Sequence, residues 1–142
     1  MGYLLDTDVL SESSNPRPDI RVMEWMDEHD HELFLSTISL GEITKGIELL
    51  SAGKRRKEIE AWFARLEEWA GTGTGSRLLA PTEQVMRAWG KLCAHHESKG
   101  RRLPVLDSLI AATAIANDLT LVTRNTGDHP QGIPILNPWE DK

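Results

Sequence analysis

Four acidic residues stand where a chain of alternating strands and helices can gather them: Asp6, Glu42, Asp107 and Asp128. Asp6 ends an apolar run, and Asp128 lies just past another. Glu42 sits one turn into a helix that follows a third, and Asp107 opens an apolar helix. Ionised carboxylates brought together repel and raise one another's pKa, and a divalent cation resolves that repulsion. The oxygens are hard donors, and the single cysteine, Cys93, excludes a multi-cysteine zinc cage. Mg2+ or Mn2+ therefore suits the set better than zinc. Such an ion orients a water, lowers its pKa and stabilises charge on a phosphodiester. One ion and two are both compatible with four acids.

Each acid also has a local reading. Asp6 can cap the turn that follows it. Ser39 and Glu42, three apart, have the spacing of a capping box. Asp107 near a helix start suits the helix dipole. Asp128 ends an Asn125-Thr126-Gly127-Asp128 turn. These are four separate causes for one pattern, whereas a shared metal is a single cause.

The elements that must position the acids can be read from apolar spacing. Residues 2–6 form a first strand, and 8–13 a helical turn broken at Asn15-Pro16-Arg17-Pro18. Ile20, Val22, Met23, Trp25 and Met26 suit an amphipathic helix. Leu33-Phe34-Leu35 is a second strand, followed by a helix over 40–50 that stops near Gly53. Ile59, Trp62, Phe63, Leu66 and Trp69 stripe the next helix, which the loop 71–75 ends. Residues 77–80 form a third strand, and Pro81-Thr82-Glu83 opens a helix to Lys99 that Gly100 closes. Residues 106–117 are apolar or small almost all round, so a helix packed on both sides is expected there. Residues 120–123 make a fourth strand, and 133–136 an edge strand that tolerates Pro134. The expected architecture is α/β: a three-layer α/β/α sandwich around a short parallel sheet of four to five strands. Ligands in such folds sit beyond the carboxyl ends of the strands, and the four acids share that edge.

A chain of 142 residues fits one domain, 1–142. Its net charge of −6 argues against gripping nucleic acid by bulk electrostatics, which needs several cationic contacts to phosphate. It does not exclude an enzyme whose acids hold a metal that in turn meets phosphate. No apolar run approaches the ~20 residues of a membrane span. The start lacks the basic and long apolar regions of a signal peptide, so a cytoplasmic protein is expected.

The segments LLDTDVLSE (4–12), SLGEITKGI (39–47), DSLIAATA (107–114), LVTRNTGD (121–128) and LNPW (136–139) resemble the PIN-domain toxins of bacterial type II toxin–antitoxin modules. The likeness is to the FitB-like branch of the VapC group. It spans nearly the whole chain, in order. The resemblance implies a PIN-like fold and a Mg2+- or Mn2+-dependent endoribonuclease that cleaves RNA by water attack. It places the family's acids on Asp6, Glu42 and Asp107, with the fourth on Asp128. Family members carry that fourth acid two or five residues after a threonine; here Asn125 and Asp128 occupy those places after Thr123. Thr7, Asp8, Thr123, Arg124 and Asn125 would then contact substrate or orient the ligands. Asp8 stands where the family commonly has Asn, and His129 replaces the usual aromatic. The resemblance further implies homodimers and a cognate antitoxin that blocks the site. Operator DNA would be met only through that antitoxin, and the chain itself shows no DNA-reading motif.

Two other readings compete. Asp6-Thr7-Asp8-Val9-Leu10 resembles the first motif of haloacid-dehalogenase-like phosphatases, with Asp6 as nucleophile and Asp8 as acid–base. The paired late acids of that family are absent, and the motif leaves Glu42 and the LNPW ending unexplained. A PIN-like module that binds without cutting is the non-enzymatic alternative, and the intact acid set speaks against it. Outside the acids, Lys54-Arg55-Arg56-Lys57 reads as a solvated surface, and Arg124 as the better candidate for a phosphate contact. The Trp62–Trp69 stripe reads as core. His29, His31, His95 and His96 lack metal spacing and are expected at the surface.

Overall fold

Apolar residues alternate in the strands, and the alternation sorts the core into two halves. The computed structural model describes residues 2–126 and 133–140. Strands β1 (Tyr3–Leu5), β2 (Leu33–Ser36), β3 (Leu78–Leu79), β4 (Thr120–Val122) and β5 (Ile135–Leu136) form one sheet. Its order is β3-β2-β1-β4-β5 and every pairing is parallel. Leu5, Leu33, Leu35 and Val122 face one side; Leu4, Phe34, Leu121 and Leu79 face the other.

The first side is covered by helices α1 (Thr7–Glu12), α2 (Ile20–Glu28), α3 (Thr37–Glu48) and α4 (Lys54–Ala70). They contribute Val9, Leu10, Val22, Trp25, Ile43, Ile47, Trp62 and Leu66 to the core. Against the second side lies α6 (Val105–Ala116), through Ile110 and Ala114, and α5 (Glu83–Glu97) packs on α6. The three layers are those the alternation predicts. Each fully buried leucine of the sheet contributes roughly 1.5–3 kcal/mol by leaving water.

Several boundaries and environments differ from expectation. Helix α3 begins at Thr37, because Ser36 at the end of β2 accepts from the Ile38 N–H at 3.0 Å and caps the helix. Ser39 therefore lies inside the helix, and the capping-box reading of Ser39 and Glu42 does not hold. Helix α4 starts at Lys54, with Arg56 in its first turn paired to Glu48 and Glu60 at 3.3 Å each. Helix α6 is sandwiched as expected in its middle, but Val105, Leu106 and Ile115 are exposed. A three-residue 3-10 turn, Asp30–Glu32, precedes β2 and has no apolar signature. Strand β5 is shorter than expected; Pro134 serves the sheet only as an acceptor, taking the Leu121 N–H at 2.9 Å.

The tryptophan stripe is core at Trp62, whose indole donates to Ser13 Oγ at 2.8 Å. Trp69 is half-buried, donates to Asp30 Oδ1 and carries the Arg77 guanidinium 4.2 Å from its ring centre. Two histidines are not surface groups. His29 stacks on Trp25 at 4.5 Å and its Nδ1 meets the Trp25 carbonyl at 2.8 Å. His96 is buried on α5.

Burial holds the His96 pKa below its ordinary value, helped by Arg101, His95 and Lys99. A depressed histidine binds fewer protons folded than unfolded. Its stabilising effect is present above the unfolded pKa and is lost as pH falls through the ordinary histidine range. The melting temperature should therefore hold level above the unfolded histidine value of about 6.5 and decline as pH falls below it, and His96→Leu should flatten that slope. A mutant slope equal to the wild type's would assign the decline to other groups.

Candidate active site

The strand order reverses between β1 and β4, and that is where a doubly wound sheet opens a crevice at its carboxyl edge. Asp6 follows β1 and Thr123 follows β4, so the topology alone puts them side by side. The Thr123 hydroxyl donates to Asp6 Oδ2 at 2.9 Å. The other oxygen, Oδ1, accepts the Thr7 N–H at 2.8 Å, which makes Asp6 the N-cap of α1 as well. The capping reading of Asp6 is thus correct and coexists with its place at the crevice.

Thr7 links two acids. Its backbone serves Asp6, and its hydroxyl donates to Glu42 Oε1 at 2.5 Å. Ser39 Oγ lies 2.8 Å from the same hydroxyl oxygen. Glu42 reaches the crevice because α3 starts directly at the end of β2, beside β1. Asp107 stands in the first turn of α6 and is half-buried.

Asp6 is only 8% exposed. Its pKa is raised above the ordinary value, first by burial and then by the charge of Asp8, with a smaller push from Asp107. Donors from Thr7 and Thr123 oppose that rise without cancelling it. Asp107 is therefore close enough to Asp6 to be felt electrostatically. A group with this sign favours its protonated form when folded, so ionisation costs stability as pH rises through the raised value. A cation at the carboxyl would offset that cost.

Asp8 has a defined task. Its Oδ2 accepts the Arg124 N–H at 3.0 Å and lies 3.4 Å from the Thr123 hydroxyl. It therefore ties the segment after β4 to α1. Thr123 Oγ1 also accepts from the Asn125 N–H at 3.2 Å. The Arg124 guanidinium lies over the Trp139 ring, 4.9 Å from its centre. Asn137 carries no sequence signal beyond its place in LNPW. Its Oδ1 accepts the Trp139 N–H at 2.9 Å and its Nδ2 donates to the Arg124 carbonyl at 3.4 Å, so it braces the same segment. Ser39 has only the spacing of a cap along the sequence, and its contact with Thr7 spans 32 positions, beyond any local signal.

The structure thus brings together Asp6, Thr7, Asp8, Glu42, Thr123, Arg124 and Asn125 by contact, and Asp107 by its field. Asp128 and His129 lie outside the described residues. Among the described residues no three Asp, Glu, His or Cys side chains form a ready-made metal cage. Glu42 is drawn to the Thr7 hydroxyl, as expected for like charges with donors at hand. The donor set nevertheless fits a hard divalent ion that keeps several waters: the oxygens are carboxylates, and one sits where like charges and burial disfavour its charge.

Residues 3–129 match the family described as PIN domain. The chain is 34% identical to toxin FitB of Neisseria gonorrhoeae over 140 residues, covering 97% of this chain and 99% of that protein. It is 34% identical to VapC ribonuclease Y4jK of Sinorhizobium fredii over 139 residues, covering 96% and 97%. It also superposes on the structure of FitAB bound to an IR36 DNA fragment, with a TM-score of 0.79, 30% identity and coverage of 99% and 97%.

The Asp8 tie is testable without any ligand. Asp8→Ala removes the acceptor for the surface Arg124 N–H and should cost about 0.5–1.5 kcal/mol in urea denaturation. Asp8→Asn keeps an acceptor oxygen and should recover most of that loss. An Asn variant as unstable as the Ala variant would mean that charge, not the hydrogen bond, is what the segment after β4 needs.

Proposed function

The chain belongs to the PIN-domain family, and we propose that it is a metal-dependent endoribonuclease, the toxin of a type II toxin–antitoxin module. The observation that carries this reading is the buried Asp6 carboxyl at the switch point of the sheet, its ionised form disfavoured by burial, Asp8 and Asp107. The relatives, a toxin and a ribonuclease by name, agree with it.

Asp6, Glu42, Asp107 and Asp128 would hold Mg2+ or Mn2+. The chemistry a bound divalent ion supplies here is a water of lowered pKa and neutralisation of charge on the scissile phosphate. The chain's own groups set the geometry. Thr123 and Thr7 occupy one lone pair on each Asp6 oxygen and fix the carboxylate plane. Thr7 holds Glu42 Oε1 and so orients the second oxygen. Asp8 and Asn137 brace the backbone of Arg124, so the segment after β4 presents Asn125 at a fixed place. That employment of Asp8 leaves the dehalogenase-like role of general acid–base without support.

The partner readings follow from the family. A cognate antitoxin would cover the site, a homodimer would be the assembled form, and operator DNA would be met through the antitoxin. The net charge of −6 supports that division of labour. Among the described residues no helix is long and apolar enough to cross a membrane.

Labelled RNA incubated with the protein should be cut with Mg2+ or Mn2+ and spared with EDTA, while p-nitrophenyl phosphate should stay intact. Asp107→Asn should lower RNA cleavage by more than about a hundredfold, beyond the loss typical of groups that merely orient ligands. Phosphatase turnover abolished by Asp8→Asn would favour the dehalogenase-like alternative, and RNA binding without cutting would favour the interaction module.

Metal should also stabilise the fold by mass action, by about 2.7 kcal/mol at a hundred times its Kd. Calorimetry should show the melting temperature rising with Mn2+, and Asp107→Asn should blunt the rise. An unchanged response in that variant would remove Asp107 from the site.

A further inference from the structure

We infer that Ser39 is a positioning residue for this site, acting on Glu42 through the Thr7 hydroxyl. The inference rests on the nuclease reading for its consequence but not for its geometry. Ser39 is fully buried in the first turns of α3. A serine or threonine inside a helix commonly turns its hydroxyl back to a carbonyl of the preceding turn. Thr44 does so to Leu40, and Thr113 to Leu109. Ser39 instead meets Thr7 across the interface of α1 and α3, oxygen to oxygen at 2.8 Å.

The direction of that bond follows from counting protons. A hydroxyl has one hydrogen and two acceptor sites. The Thr7 hydrogen goes to Glu42 Oε1. Toward Ser39 the Thr7 oxygen can therefore only accept, and Ser39 donates. The result is a one-way chain, Ser39 to Thr7 to Glu42, in which each donation polarises the next. It ends on a carboxylate, where hydrogen bonds are strongest. Ser39 thus fixes the Thr7 rotor, and the rotor fixes the carboxylate. Without Ser39 the Thr7 hydroxyl keeps its bond to Glu42 but loses the donor that polarises it and steadies its rotor, so the hold on Glu42 loosens while every carboxylate remains present.

Two measurements on the full chain test this. In the metal-free protein, the hydroxyl proton of Thr7 should give a protected NMR resonance that Ser39→Ala shifts and opens to faster exchange. Mn2+ affinity, read by the paramagnetic resonance of free Mn2+, should fall about 10–100-fold in Ser39→Ala and in Thr7→Val, the usual cost of losing a group that orients a ligand. Thr7→Ser should keep most of the affinity. The double variant Ser39→Ala/Thr7→Val should be no worse than Thr7→Val alone, since Ser39 has no route except Thr7. A Thr7 resonance unmoved by Ser39→Ala overturns the inference. So do losses that multiply in the double variant, or a lowered melting temperature with unchanged Mn2+ affinity. Wild-type protein that takes up no Mn2+ sinks the metal reading instead, and the hydroxyl resonance then decides the role of Ser39.

Discussion

Negative side chains gathered at a buried sheet edge repel one another, and they stay only where donors hold them. That repulsion organises the site. Asp6 is kept in place by the Thr7 N–H and the Thr123 hydroxyl, Glu42 by the Thr7 hydroxyl, and Asp8 accepts the Arg124 N–H. The donors do not remove the repulsion, since the Asp6 pKa stays raised. The fold holds a charge imbalance in reserve, and a cation is the natural relief for it.

The sheet makes the arrangement rigid. The strands are only two to four residues long, so the crevice lies close to the core on both sides. Leu4 and Leu5, adjacent in β1, anchor opposite layers one residue before Asp6. A shift of register by one would exchange the layers and turn the acid away. The position of Asp6 is therefore as fixed as the core itself. Just after β4 the backbone at Arg124 is tied down by polar contacts from Asp8 and Asn137.

Thr7 carries more of the site than its type suggests. One residue supplies a backbone donor to the first acid and a side-chain donor to the second, so the two acids cannot move independently. Glu42 arrives there because Ser36 starts α3 three residues earlier than apolar spacing implies. The same early start brings Ser39 to the inner face of the helix, against α1.

By itself the sequence determined the alternation of strands and helices, the two-sided sheet and the place of Asp6 at its carboxyl edge. Those follow from apolar periodicity and turn residues, which act locally. It also determined the family, through five short segments kept in order along the chain. Only the tertiary structure decided the helix start at Thr37, the burial of His96, the stacking of His29 on Trp25 and the tasks of Asp8, Ser39 and Asn137. The reason is physical: a hydroxyl or a carboxylate takes whichever donor or acceptor folding brings within three ångströms, and no spacing along the chain encodes a contact between residues 7 and 39 or 8 and 124.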